Sequence, residues 1–152
     1  MAKAILVSLA VVAFLATTSF SAFIQLGPFY FSDNTLPWVE ARQACRDTNR
    51  SLVSVDSADK DRNLVRLLRA SGNGAIENST VIKGQSWSSG HEVAEGVWEW
   101  DSTHEPFFYT RWFVGQPDAL DDINCVYLAT RGVSDLYWRD ANCSAAMHFI
   151  CE

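Results

Sequence analysis

No two cysteines of this chain stand close enough to form a C-x-x-C pair. The four present, Cys45, Cys125, Cys143 and Cys151, are widely spaced, which excludes the close pairs of a structural zinc site. Positive charge is also short. Twelve Lys and Arg against eighteen Asp and Glu leave a net charge of −6, whereas nucleic-acid binding wants a basic face. Histidine occurs only at His91, His104 and His148, with no H-E-x-x-H and no G-x-S-x-G. His91-Glu92 lacks the second His, and Asp121-Asp122 are too close in sequence to straddle a glycosidic bond. Without a nucleophile–base set or an acid–base pair, the chain is expected not to be an enzyme. It lacks internal repeats, coiled-coil heptads and collagen triplets, so multivalency would need homo-oligomer formation.

What is present starts with an apolar leader. Lys3 is followed by an apolar run from Ala4 to Ala16 broken only by Ser8, then by mostly small residues to Ala22. Residues 1–22 are expected to be a secretory signal peptide, since the run is too short to span a bilayer comfortably. No later run of that length suggests membrane insertion. Residues 23–152 then form one domain, able to bury roughly two thirds of its unfolded surface. Secretion places the four cysteines in an oxidising compartment, where an even count implies bridges. Three connectivities are possible, and spacing does not choose among them. Asn49-Arg50-Ser51 and Asn78-Ser79-Thr80 are candidate glycosylation acceptors. Six Trp and nine Phe point to a core or site built on aromatics.

The first half of the domain alternates strand and helix signals. Ile24 to Phe31 predicts a strand. Asn34 or Thr35 is expected to cap a helix whose first turn holds Pro37. Trp38, Ala41 and Cys45 fall at i, i+3 and i+7 on one face. Ser51 to Val55 predicts a short strand. Asp56 or Ser57 is expected to cap a second helix with Leu64, Val65 and Leu68 as its apolar stripe, ending at Gly72. Beyond Gly72 there are only short apolar bursts: Val81-Ile82, Val97 to Trp100, Cys125 to Leu128 and His148 to Cys151. The segment from Ser102 to Asn124 has little periodicity, but Phe107, Phe108, Tyr109, Trp112 and Phe113 make it too aromatic for disorder. It is expected to be an ordered binding loop.

Oxygen ligands gather late in the chain. Gln116, Asp118, Asp121 and Asp122 lie within seven residues, and Asp135 and Asp140 follow Cys125. Calcium takes six to eight oxygens from carboxylates, amides, backbone carbonyls and water. Pro117 separates Gln116 from Asp118, and a cis peptide there would place both side chains on one side of the loop.

The chain resembles the C-type lectin domain from about Phe29 to Glu152. Glu95-Gly96-Val97-Trp98-Glu99-Trp100 is similar to its E-G-x-W-x-W strand. Tyr109 to Asp118 is similar to its Y-x-x-W-x-x-G-Q-P-D loop. Trp138-Arg139-Asp140-x-x-Cys143 is similar to W-N-D-x-x-C, and Phe149-Ile150-Cys151-Glu152 to its ending. The resemblance implies an α+β fold of two helices and antiparallel sheets with a long ordered ligand-binding loop. It implies bridges Cys45–Cys151 and Cys125–Cys143. It also implies one Ca2+ at Gln116, Asp118, Asp122 and Asp140, and a sugar held by Gln116, Asp118, Asp140 and Arg139. Two positions depart from the pattern. The acid two residues before Cys125 is Ile123, with Asp122 as its substitute, and the Asn of W-N-D is Arg139. Guanidinium carries donors only and cannot ligate a cation, so calcium should bind weakly and Arg139 should pair with Asp121 or Asp122 or donate to a sugar hydroxyl. The Q-P-D motif implies galactose-type glycans. Ala119 and Leu120 follow it where galactose readers often place an aromatic, and Tyr109, Trp112 and Tyr137 are expected in the core. The implied function is that of a secreted, single-domain lectin of the invertebrate innate-immunity type that recognises microbial surface polysaccharides. The rival is a calcium-independent domain of the same fold that binds protein, lipid or mineral.

Overall fold

The computed structural model describes residues 22–72, 84–118, 124–131 and 135–152. Gly27 sets how the domain begins. It adopts φ +58°, which glycine reaches without steric penalty, and Phe23–Leu26 (β1) folds back on Phe29–Ser32 (β2) as an antiparallel hairpin. The single strand expected over Ile24–Phe31 is therefore two. Phe29 and Phe31 point into the core.

Helix α1 covers Trp38–Arg46 and buries Trp38, Ala41 and Cys45, the face that the spacing predicts. Its cap differs from expectation. Pro37 holds the N-cap position with no side-chain cap, so neither Asn34 nor Thr35 serves. Backbone replaces them: Leu36 exchanges two hydrogen bonds with Met147, and the Trp38 N–H donates to the Cys143 carbonyl at 2.9 Å. Helix α2 covers Ala58–Gly72. The Ser57 hydroxyl accepts the Lys60 N–H at 3.3 Å, and Leu64 and Leu68 are buried, with Val65 at the edge of the core.

The short strand expected at Ser51–Val55 reduces to one bridge, between Leu52 and Cys151. The reason is divided pairing. The Val53 N–H donates to Ile150, while its carbonyl accepts from Ser89, both at 2.8 Å. Strand β3 (Gln85–Ala94) pairs antiparallel with β4 (Val97–Trp100) and β6 (Asn124–Arg131). Strand β4 pairs with the two-residue β5 (Glu105–Pro106), and β6 pairs with β7 (Asp135–Asn142). Strand β8 (His148–Cys151) lies between β2, antiparallel, and β3, parallel. The implied α+β fold with two helices and antiparallel ladders is present, and the β3–β8 pairing makes the sheet mixed. Gly90 permits a close approach within it: a Cβ there would stand 2.7 Å from Phe107 and 2.9 Å from Val126.

Both implied bridges are formed, Cys45–Cys151 and Cys125–Cys143. Val81-Ile82, Asn78 and all of the leader but Ala22 lie outside the described residues. Among the described residues no helix is long and apolar enough to cross a membrane.

Candidate functional site

The long segment after β4 is ordered by its aromatics. Trp112 forms a parallel bridge with Trp138 of β7. The Phe113 N–H donates to the Trp138 carbonyl, and the Trp138 N–H to the Arg111 carbonyl, both at 2.9 Å. The Trp138 ring takes edge contacts from Trp100, Phe107, Tyr109 and Trp112, with centroids 5.3–5.9 Å away. Edge-to-face pairs of this kind add to the stabilisation from burial. Tyr109 and Trp112 are thus committed to the core, as expected. Tyr137 lies on the other face of β7 and packs on Phe113 at 5.3 Å.

Past this clamp the chain turns. Gly115 adopts φ +85°, and the Gln116–Pro117 peptide is cis. Two bonds then lace the turn to β7. The Asp140 N–H donates to Gln116 Oε1 at 3.2 Å, and the Asp118 N–H donates to Asp140 Oδ1 at 2.9 Å. Gln116, Asp118 and Asp140 are therefore brought together. Asp140 is only 7% exposed, whereas Asp118 is open to solvent.

Arg139 goes elsewhere. Side chains alternate along a strand, and β7 buries Leu136, Trp138 and Asp140 while Tyr137 and Arg139 share the opposite face. The Arg139 guanidinium lies over the Phe113 ring, 5.3 Å from its centroid, and its buried Nε has no hydrogen-bond partner among the described residues. Neighbours in sequence, Arg139 and Asp140 thus occupy different faces. Asp121, Asp122 and Ile123 lie outside the described residues.

The linked residues carry one amide oxygen and two carboxylates, hard oxygen ligands of the kind calcium takes; the Gln116 and Asp140 oxygens are fixed by these bonds, and Asp118 joins through its backbone N–H. The set fits part of such a shell. Among the described residues no group of three or more His, Cys, Asp or Glu could hold a metal, so Gln116 is needed to bring the oxygen-bearing groups to three. Asn49, the described glycosylation candidate, is exposed.

Three supporting residues escaped the sequence reading. Glu92 accepts from Asn124 Nδ2 at 2.9 Å and from the Gly96 N–H at 2.7 Å, tying the start of β6 to the β3–β4 turn. Glu152 accepts from the Ser54 N–H, the Ser54 hydroxyl and Lys60, each at 2.9 Å. Asp61, 1% exposed, pairs with Arg111 at 2.7 Å. Burial pushes the Asp61 carboxyl above its ordinary range although Arg111 opposes the shift, and Arg111 is held charged by Asp61 against its own burial. Only the motif ending F-I-C-E marked one of these positions in advance. The other contacts join residues far apart in sequence.

The profile of one protein family, the Lectin C-type domain, matches residues 34–152. Lithostathine-1 of Mus musculus is 29% identical over 126 residues, covering 82% of this chain and 70% of that protein. Among solved structures, the mouse scavenger receptor C-type lectin carbohydrate-recognition domain superposes with a TM-score of 0.63 at 22% identity, over 86% of this chain and 91% of its own. A calcium-independent type II antifreeze protein superposes with a TM-score of 0.61 at 22% identity, over 86% and 89%. At such identities the structural likeness speaks for the fold alone.

Proposed function

We propose that this chain, which belongs to the C-type lectin domain family, is a secreted, calcium-dependent, galactose-type lectin for glycans on microbial surfaces. The reading rests on one observation: hydrogen bonds draw Gln116, Asp118 and Asp140 into a single cluster across a turn and a strand. These three and Asp122 are assigned to one calcium, which when bound offers coordination to two vicinal sugar hydroxyls. The chain's own residues do the positioning. Backbone N–H groups aim Gln116 Oε1 and Asp140 Oδ1, and Trp138 anchors the strand that carries Asp140. Arg139 is not assigned to the metal, because it has donors only and its guanidinium lies over Phe113 on the face of β7 opposite Asp140. Residues 1–22 are assigned as the signal peptide and 23–152 as the domain. Asn49 and Asn78 are assigned as glycan acceptors, and homo-oligomers as the source of avidity.

A glycan array read in calcium and in chelator tests this. Binding to galactose-terminated glycans is expected in calcium, abolished by chelator and by Asp140→Ala. Gln116→Glu with Asp118→Asn exchanges the acid and the amide and should move the profile toward mannose. Binding unchanged in chelator would overturn the reading in favour of a calcium-independent domain for protein, lipid or mineral. That second reading draws on Arg139 and Ile123, which stand where the family pattern places oxygen ligands.

A further inference from the structure

A second concave site lies between α2 and the start of β7. It has a volume of about 370 Å³ and is lined by Asp61, Arg62, Val65, Arg66, Arg69, Arg111 and Asp135. Four of the chain's nine arginines meet there, in a protein whose net charge is −6. No lysine lines it. Arg62, Arg66 and Arg69 follow at i, i+4 and i+7, so they share one helix face. Like charges at that spacing repel and weaken the helix slightly, which solvation of the face does not require. Arg62 pairs with Asp59, whereas Arg66 donates to the neutral Asn63 at 2.9 Å.

The fourth cation is held rigidly. Arg111 reaches the groove from the loop segment and is pinned by the buried Asp61. The other oxygen of that carboxylate, Oδ1, is buried without a hydrogen-bond partner of ordinary geometry among the described residues, though Tyr109 and Arg62 lie near enough to favour its charge. Asp61 pairs with Arg111 and Asp59 with Arg62, and the lining as a whole sets four guanidinium groups against two carboxylates, Asp61 and Asp135. Guanidinium forks match the planar or tetrahedral oxygens of carboxylate and sulfate.

We infer that this groove binds the anionic groups of an acidic polysaccharide, sulfate or carboxylate, independently of calcium. A polysaccharide is favoured over an acidic peptide because β7 carries both sites. Asp135 lines the groove and Asp140 belongs to the cluster described above, five residues or roughly 16 Å apart along a strand. The choice of a polysaccharide rests on the sugar-binding reading of that cluster, whereas anion binding in the groove does not require calcium.

The test uses the mature full chain in chelator, which silences any calcium site. The probes are dextran sulfate, an uncharged dextran of the same length, and poly-glutamate, measured by surface plasmon resonance at several salt concentrations. Dextran sulfate should bind in a salt-dependent way and uncharged dextran should not. Arg66→Gln with Arg69→Gln should weaken binding at least tenfold, while Arg46→Gln with Arg50→Gln, which removes the same charge from elsewhere, should leave it within about twofold. Gln keeps helix propensity, and Arg62→Gln supplies a second groove variant if the pair unfolds. Source is read by comparing dextran sulfate with polygalacturonate, which carries carboxylates. Equal loss in the groove and control variants would reduce the effect to bulk charge and overturn the inference. So would absence of dextran sulfate binding, or poly-glutamate binding of equal strength.

Discussion

Around α1 and β8 the core contains Cys45, Cys125 and Cys151 with Cys143 packed against them, alongside Trp38, Trp87 and Phe149. Around β4 and β7 the core contains no cysteine. Trp98, Trp100 and Trp138 meet Phe29, Phe31, Val126 and Ile150 there, with Phe107, Tyr109 and Trp112 at its edge. The first cluster is closed covalently and the second by packing of rings and aliphatic side chains. The candidate site hangs on both, because the Cys125–Cys143 bridge grips one end of the ladder that carries Asp140 and the rings around Trp138 grip its middle. One covalent closure spans 106 residues and the other 18, whereas interlocked rings serve where a long loop must be held in shape.

Removing the long bridge should have the largest effect. Cys45→Ser with Cys151→Ser opens a closure of 106 residues, which the chain-entropy account sets at about 4–5 kcal/mol. Equilibrium denaturation measures it. A loss under about 1 kcal/mol would mean that packing around Cys45, and not closure, secures that half. Trp138→Phe should follow at about 1–3 kcal/mol, since it trims the ring that four others touch. Calcium affinity should fall with it, because the strand bearing Asp140 loses its anchor. Stability lost without any change in affinity would uncouple the aromatic half from the site.

The smallest effect concerns pH. The Asp61 carboxyl is raised in the folded chain, so the native state holds that proton more firmly than the unfolded one does. Its contribution is therefore complete below the ordinary carboxylate value of about 3.9 and declines as pH rises through the folded value. Measured against Asp61→Asn, which does not titrate there, the wild type should gain in relative thermal stability as pH is lowered from neutral into the acid range. A relative loss on acidification would show instead that Arg111 outweighs burial.

Sequence periodicity shows the buried face of α1, because three apolar side chains recur with the helix repeat. It also shows β4 and β8 at their true limits, because short apolar bursts there are bounded by turn residues. It misses the turn at Gly27-Pro28, which sits inside a largely aromatic and apolar run. The caps on α1 are missed for a different reason: the N–H groups find carbonyls over 100 residues away, at Cys143 and Met147. The pairing of the cysteines came with the family resemblance and not with their spacing. At the site, Gln116, Asp118 and Asp140 were legible as candidate oxygen donors. That Arg139 faces away from Asp140 was not, because it depends on how a strand alternates once Trp138 has chosen its side.

The seat of β8 between β2 and β3 has a bearing on biosynthesis. Residues 148–151 pair with Tyr30 and Phe31 on one side and with Ser86 and Trp87 on the other, and Cys151 is bridged to Leu52 as well as to Cys45. Almost the whole domain must be synthesised before its central strand exists. Until then the edges of β2 and β3 are unpaired, and unpaired edges invite association with other chains. A nascent chain of this design stays vulnerable until β8 emerges, and its non-local pairings set a slow pace for folding.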